Sequence, residues 1–296
     1  MKLGINLSFA AKRWQEPDEL AAICAGFGVK YFQFNLDFIN PWWPKELTME
    51  LAGQYRDAFA RKGLHFDSVF GGMGAYAYPQ YFSYNPKIRD IMERYHEGAI
   101  DIACEMQAYT LGIALGGMTH ADAYDPERRK ACYKDVNERL IRLAAYGAKK
   151  GLKDIQVEAV PLFTELPNSI ESSLEMMHDL EGKTDIPVQI FLDWGHMLCK
   201  PFMKEEADMV LWINALKPYI GDMHLQQTDG EWDRHWDFRH EDGIVTKELI
   251  KHVLTSTGKE NSIQYLEFAP AYEDTDENVY EGMRYSVEFL RDIFEE

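Results

Sequence analysis

Eight short apolar runs recur along this chain, each followed by a longer segment of helical period. That alternation constrains the fold more than any other feature. The runs are KLGINLSF (2–9), VKYFQFNLDF (29–38), LHFDSVF (64–70), YTLGIALGG (109–117), DIQVEAV (154–160), VQIFLDW (188–194), YIGDMHL (219–225) and IQYLEFA (263–269). Their lengths and their β-branched and aromatic content predict mostly buried strands. Among the intervening segments, 125–150 opens on Asp125-Pro126, a capping side chain followed by proline at the first helical position. The last segment sets Val279, Met283, Val287 and Leu290 on one stripe at spacings of three and four.

Eight strand–helix units in 296 residues average about 37 residues each, the proportions of a (β/α)8 TIM barrel. A doubly wound sheet would be expected to carry a Gly-rich fingerprint after its first strand, and NLSFAAKRW has none. No Pro/Gly/Ser-rich linker divides the chain, so the expectation is one barrel domain over 1–296.

Composition narrows the function by exclusion. Acids outnumber bases 49 to 31, a net charge of −18, which disfavours any partner that must be gripped through its phosphates. The same excess argues against anionic membranes. MKLGINLSFAAKRW lacks the apolar centre of a signal peptide, and no run approaches the ~18 apolar residues of a membrane span. The four cysteines are scattered with no CxxC pair. These features predict a cytoplasmic protein without a thiolate metal cluster.

In a TIM barrel the chemistry sits at the C-terminal ends of the strands. The fifth run offers Glu158 there, the sixth Asp193 and then His196, the seventh His224, and the eighth Glu267. Each is titratable among apolar neighbours, and three carboxylates buried together without a cation would be very costly. Three carboxylates and an imidazole suit a divalent ion, Mn²⁺ first, with Mg²⁺, Co²⁺ and Zn²⁺ also open. Other strand ends add Asn6 and Phe9, Asn35 and Asp37, and Gly116-Gly117 followed by His120.

The segments VEAVP, LDWGHM, MHLQQTD and YLEFAP resemble those of the xylose isomerase-like TIM-barrel superfamily, and the resemblance extends over nearly the whole chain. That superfamily includes ketose 3-epimerases, ribulose-phosphate epimerases of the same fold, inosose dehydratases and endonuclease IV. The resemblance implies a metal held by Glu158, Asp193, His224 and Glu267, with His196 on the substrate. It implies an isomerase or epimerase of a ketose or related small carbohydrate, working through a metal-stabilised enediolate, with Glu158 and Glu267 exchanging the proton. An arginine after the strand-seven histidine often contacts substrate in this family. Here the nearest, Arg234, lies ten residues on. Arg234, His235 and Gln226 are expected to meet substrate hydroxyls, with Asn35, Phe9 and His120 as further substrate contacts.

Two loops are unusually aromatic, INPWWP (39–44) and GGMGAYAYPQYFSYNP (71–86). They fit a cover that excludes water from the site or a subunit interface of a homo-oligomer, dimer or tetramer. The stretch TDGEWDRHW is expected to fold back over the barrel mouth. A lyase on the same fold is the main alternative: a decarboxylase of a keto sugar acid, with Arg234 gripping the carboxylate, a dehydratase or a C-glycoside-cleaving enzyme. An endonuclease IV-like nuclease would need more histidines at strand ends and a basic surface. A non-catalytic sugar-binding barrel would leave the carboxylates unexplained.

Overall fold

A computed structural model describes residues 2–258 and 262–294. Eight parallel strands close into a barrel: β1 (Lys2–Asn6), β2 (Tyr31–Asn35), β3 (His65–Phe70), β4 (Thr110–Ile113), β5 (Asp154–Glu158), β6 (Val188–Asp193), β7 (Ile220–Leu225) and β8 (Ile263–Leu266). Each strand pairs with the next in sequence, and β8 returns to β1 through Leu3 opposite Gln264 and Ile5 opposite Leu266. The expected barrel is the observed one.

Helices sheathe the barrel. Pro126–Lys150 begins where the sequence predicts, because the Asp125 carboxylate accepts hydrogen bonds from the Glu127 and Arg128 amides at 3.0 and 3.1 Å. It ends at Gly151, in the left-handed conformation that glycine adopts without strain. In Asp276–Arg291 the predicted stripe of Val279, Met283, Val287 and Leu290 is fully buried against the barrel.

Several strands stop earlier than their apolar runs. β1 ends at Asn6 because its side chain turns to accept the Ser8 amide at 2.7 Å, opening a 3₁₀ turn over Leu7–Ala10. β6 ends at Asp193, whose Oδ1 accepts the Gly195 and His196 amides at 2.6 and 3.1 Å and starts the short helix Trp194–Met197. A polar side chain that bonds its own backbone two or three residues on offers an alternative to the strand ladder. The residues that end the strands are thus among those the sequence marks as functional.

Inside the barrel, Phe70, Phe191 and Tyr265 form a small apolar plug. Gly112 makes room for it: a Cβ there would sit 2.3 Å from the Phe70 ring. The plug lies directly against His224, whose ring meets Phe70 and Phe191 edge-on at centroid distances of 4.6 and 4.4 Å. Among the described residues no helix is long and apolar enough to cross a membrane.

Candidate metal centre and substrate site

Strand register brings four residues from β5 to β8 to one point. Glu158 and Asp193 close β5 and β6, His224 is the last residue but one of β7, and Glu267 follows β8. His224 Nδ1 lies 2.7 Å from Glu267 Oε2, 3.6 Å from Asp193 Oδ2 and 3.7 Å from Glu158 Oε1. All four side chains are buried. Ligand atoms of Glu158, Asp193 and His224 lie within 4.8 Å of one another, as do those of Asp193, His196 and His235.

The hydrogen bonds around His224 fix which nitrogen faces this cluster. Its Nε2 stands 2.6 Å from Gln33 Oε1, an oxygen that also accepts from Asn6 Nδ2 at 2.6 Å. Gln33 Nε2 in turn donates to Ser68 Oγ at 2.8 Å, so the amide cannot flip without losing a partner. An amide oxygen only accepts, so Nε2 carries a proton towards Gln33 and Nδ1 is the nitrogen turned to the carboxylates, where it can hold a proton or a cation. His224 Nδ1 and Asp193 Oδ2 are both buried and without a hydrogen-bond partner. Two orphaned buried atoms converging with two further carboxylate oxygens fit a divalent cation with mixed oxygen and nitrogen ligands.

The electrostatics agree. Burial would push the His224 imidazole down, but the Glu267 and Glu158 carboxylates raise it to about 9. Burial raises Asp193 to about 6. Burial alone would also raise Glu267, yet His224 and His235 hold it well below the usual carboxylate range. A point that raises the proton affinity of the imidazole facing it attracts positive charge.

Around this point lies a ring of supporting contacts. Asp193 divides its work: Oδ1 accepts from the two backbone amides and from Gln226 Nε2 at 2.8 Å, which leaves Oδ2 for the cluster. The Tyr76 hydroxyl donates to Glu158 Oε2. Tyr76 belongs to a 3₁₀ turn, Met73–Ala77, whose Met73 and Gly74 amides both donate to Asp37 at 2.8 Å. The turn follows Gly72, at φ +78°, where a Cβ would lie 2.4 Å from Asn35 Oδ1.

Asp233, which the sequence reading passed over, joins two histidines. Its Oδ2 is 3.1 Å from His196 Nε2, and its Oδ1 is 3.2 Å from His235 Nδ1. His196 Nδ1 meets the Ala159 carbonyl at 3.1 Å, so both its nitrogens face acceptors. Burial opposes the charge, but Asp233, Asp193 and Glu158 raise His196 well above its ordinary value. His235 Nε2 lies 3.1 Å from Glu267 Oε2. Burial again opposes, and Asp233 and Glu267 raise His235 to about 10. Its backbone sits at φ +49°, a strained conformation for a non-glycine residue, held by its amide on Gln226 Oε1 at 2.5 Å and its carbonyl on the Ala269 amide at 3.0 Å. Glu165, also passed over, lies after β5 and lines a cavity with Tyr76, His196 and Asp233; burial raises its carboxyl to about 7.

Other expectations are corrected. Gln226 is fully buried between Asp193, Asp233 and the His235 amide, so it orients acids and reads no hydroxyl. Gln227 is likewise buried, anchoring the loop through Val245. Arg234 turns away: its guanidinium binds Asp229 at 2.6 and 2.8 Å and stacks over Trp236. Phe9 is a core residue, its ring 5.7 Å from Phe27 and 6.0 Å from Trp14, because the 3₁₀ turn after Asn6 rotates it towards the helices. His120 is exposed and stacked on Tyr124 at the start of a short helix. Of the aromatic loop, Tyr81 and Phe82 are buried, whereas Tyr78 and Tyr84 are exposed. Asn35 is buried at the end of β2, where its Oδ1 accepts the Asp37 amide and its Nδ2 has no hydrogen-bond partner. The return of the loop after β7 is as expected, Gln227 and Trp236 exchanging backbone hydrogen bonds at 3.1 Å.

With this geometry in place, the comparisons with known proteins become decisive. Residues 21–293 match the family described as xylose isomerase-like TIM barrel. A crystal structure of a candidate xylose isomerase from Rhodospirillum rubrum superposes with a TM-score of 0.96 at 37% identity, covering 99% of both chains. This chain belongs to the xylose isomerase-like TIM barrel family. More distant structures share the barrel alone. D-psicose 3-epimerase from Clostridium cellulolyticum H10, solved with D-tagatose, has a TM-score of 0.73 at 15% identity over 100% of both chains. The 3-keto-D-glucoside 4-epimerase of E. coli has a TM-score of 0.70 at 15% identity, over 96% of this chain and 98% of its own. None of the curated proteins compared with the chain matches it in sequence. The contact of Gln33 with Asn6 and His224 is the feature that the sequence alone could not supply. The one sequence signal for Gln33 is a lone amide inside the aromatic run YFQFN.

Proposed function

We propose that this protein is a divalent-metal-dependent isomerase or epimerase of a keto sugar, with Glu158, Asp193, His224 and Glu267 as the ligands. The observation that carries the reading is the bare, buried Nδ1 of His224 facing three carboxylate oxygens while Nε2–H is tied to Gln33. Mn²⁺ suits this set best among common ions, with Mg²⁺ and Co²⁺ next. When bound, the ion supplies Lewis-acid polarisation of a sugar carbonyl.

The chain's own groups supply proton transfer. Glu158 and Glu267 approach one point from β5 and β8, and each has one oxygen held by a donor, Tyr76 for Glu158 and His235 for Glu267. One carboxylate takes the proton next to the carbonyl and keeps it as the carboxylic acid, and the other, already protonated from solvent, delivers its own proton to the opposite face. His196 and His235, both inclined to carry positive charge, steady the negative charge that develops on the sugar oxygens. Sugar epimerases among the structural neighbours support the substrate class. Arg234, already committed to Asp229, lends no support to a decarboxylase that would need it for a substrate carboxylate.

The test is solvent deuterium incorporation into a panel of ketoses by Mn²⁺-loaded protein, followed by NMR. Deuterium at the carbon next to the carbonyl is expected, together with its loss in Glu158→Gln and Glu267→Gln. Release of CO₂ without exchange, or unchanged exchange in both variants, would sink the reading.

A further inference from the structure

Beside the carboxylate cluster lies a second, larger space that a single sugar at the cluster does not use. A cleft of about 1150 Å³ runs across the loops after β1, β2, β7 and β8. Sites that enclose whole drug-sized ligands measure roughly 300–1,000 Å³. The inner wall is built by chain neighbours of the site residues: Phe268 follows Glu267, Arg234 and Trp236 flank His235, and Asp37 holds the turn that carries Tyr76. The Met73–Ala77 turn gives Met73 and Gly74 to this cleft and Tyr76 to the smaller cavity on the other side.

The outer wall is preformed. Arg13 ties the loop after β8 to the loop after β1, donating to the Ala271 and Asp274 carbonyls and to Asp276, each at 2.8 Å. Two aromatic residues of the lining are exposed, Tyr272 at 70% and Trp43 at 42%. Lys12 sits with its ammonium 4.7 Å from the Tyr272 ring, on a backbone strained to φ +66°. Strain of this kind persists where surrounding structure enforces it, and it clusters at binding sites.

Charge decides what the cleft takes. Its three arginines are each matched to a carboxylate, Arg13 to Asp276, Arg234 to Asp229 and Arg239 to Asp237, and Asp37, Glu273 and Asp274 line it as well. An anionic group would meet arginines already paired and three further carboxylates, with the Lys12 ammonium turned to the Tyr272 ring. Aromatic faces beside many hydrogen-bonding groups fit a neutral, hydroxylated ring, whose apolar face stacks while its edge bonds.

We propose that the cleft is a subsite for a second sugar ring, so that the substrate is a glycosylated keto sugar: the reacting unit sits at the carboxylate cluster and the attached ring between Trp43 and Tyr272. This deepens the reading under Proposed function and rests on it for the reacting unit alone.

The experiment compares affinities of the Mn²⁺-loaded protein, by calorimetry, for D-fructose and for turanose, maltulose, lactulose and isomaltulose, which carry a second hexose at different fructose hydroxyls. The expected result is at least one keto-disaccharide binding about tenfold tighter than D-fructose, about 1.4 kcal/mol. In Trp43→Ala and Tyr272→Ala that ratio falls below about threefold, on the order of 0.65 kcal/mol. Both positions are exposed, so the variants retain the fold. No tighter keto-disaccharide, or a ratio that survives both substitutions, overturns the subsite. Deuterium exchange, run on the same sugars, separates the two proposals. Exchange without a second-ring advantage removes only the subsite, and an advantage without exchange removes only the isomerase reading.

Discussion

Gln33→Met is the most informative single change, because it keeps the volume of a buried side chain and removes its amide, including the oxygen that faces His224. In the native protein Gln33 Oε1 lies 2.6 Å from His224 Nε2 and holds Nδ1 towards the carboxylates. Without that acceptor the ring is free to place its proton on Nδ1, where Glu267 Oε2 waits 2.7 Å away. Removing such a support behind a ligating histidine costs roughly 10–100-fold in metal affinity, about 1.4–2.7 kcal/mol. Asn6 Nδ2 and Ser68 Oγ also lose their partner, which adds about 1–3 kcal/mol of destabilisation that has nothing to do with metal. The two effects separate in one assay. Denaturant unfolding in EDTA reports the second, and the additional stability gained at saturating Mn²⁺ reports the first through mass action. For a chain of this size each kcal/mol corresponds to about 2 °C, so the Mn²⁺-dependent rise in melting temperature should shrink by roughly 3–6 °C. An unchanged Mn²⁺-dependent rise, with only the EDTA baseline lowered, would refute the orientation argument.

Three further perturbations address the surroundings. Asp233→Asn removes the carboxylate between His196 and His235, and the titration of His235, raised to about 10, should fall by about one unit or more in NMR of metal-free protein; an unmoved titration would mean that Glu267 alone sets it. Tyr76→Phe deletes the donor to Glu158 and should loosen the Met73–Ala77 turn by about 1 kcal/mol, read as faster amide exchange at 73–77. Equal exchange would show that the Asp37 contacts suffice. Burial raises Glu165 in the folded state to about 7, so its protonated form is favoured there. Its stabilising contribution is complete below about 4.5 and is lost as pH rises through about 7. Relative to Glu165→Gln, the metal-free native protein should therefore lose stability across that window, on the order of 2–3 kcal/mol, and remain level above it. A difference that stays flat with pH would refute the burial of that carboxyl.

The barrel, its three buried acids and their imidazole were legible in the chain because they depend on local signals. Alternating apolar runs specify strands, Asp125-Pro126 starts a helix, and a charged residue at the end of an apolar run stands out wherever the strand is placed. The lid-like return of 228–235 was legible for a similar reason, since Asp229-Gly230 marks a turn. The partners of those residues were not legible. Gln226 was read as a hydroxyl contact, but strand register places it against Asp193, and Phe9 left the site when Asn6 capped a turn. Gln33 and Asn6 lie 191 and 218 residues from His224 in sequence. They meet it only because β8 closes onto β1 and brings the first two strands round to the seventh. The sequence by itself determined which acids and which imidazole stand at the ends of the strands. The tertiary structure decided which nitrogen of His224 faces the acids, which acids are held by donors, and where an open cleft remains. Hydrophobic period is a property of neighbours along the chain, whereas tautomer, proton affinity and cavity shape are properties of neighbours in space.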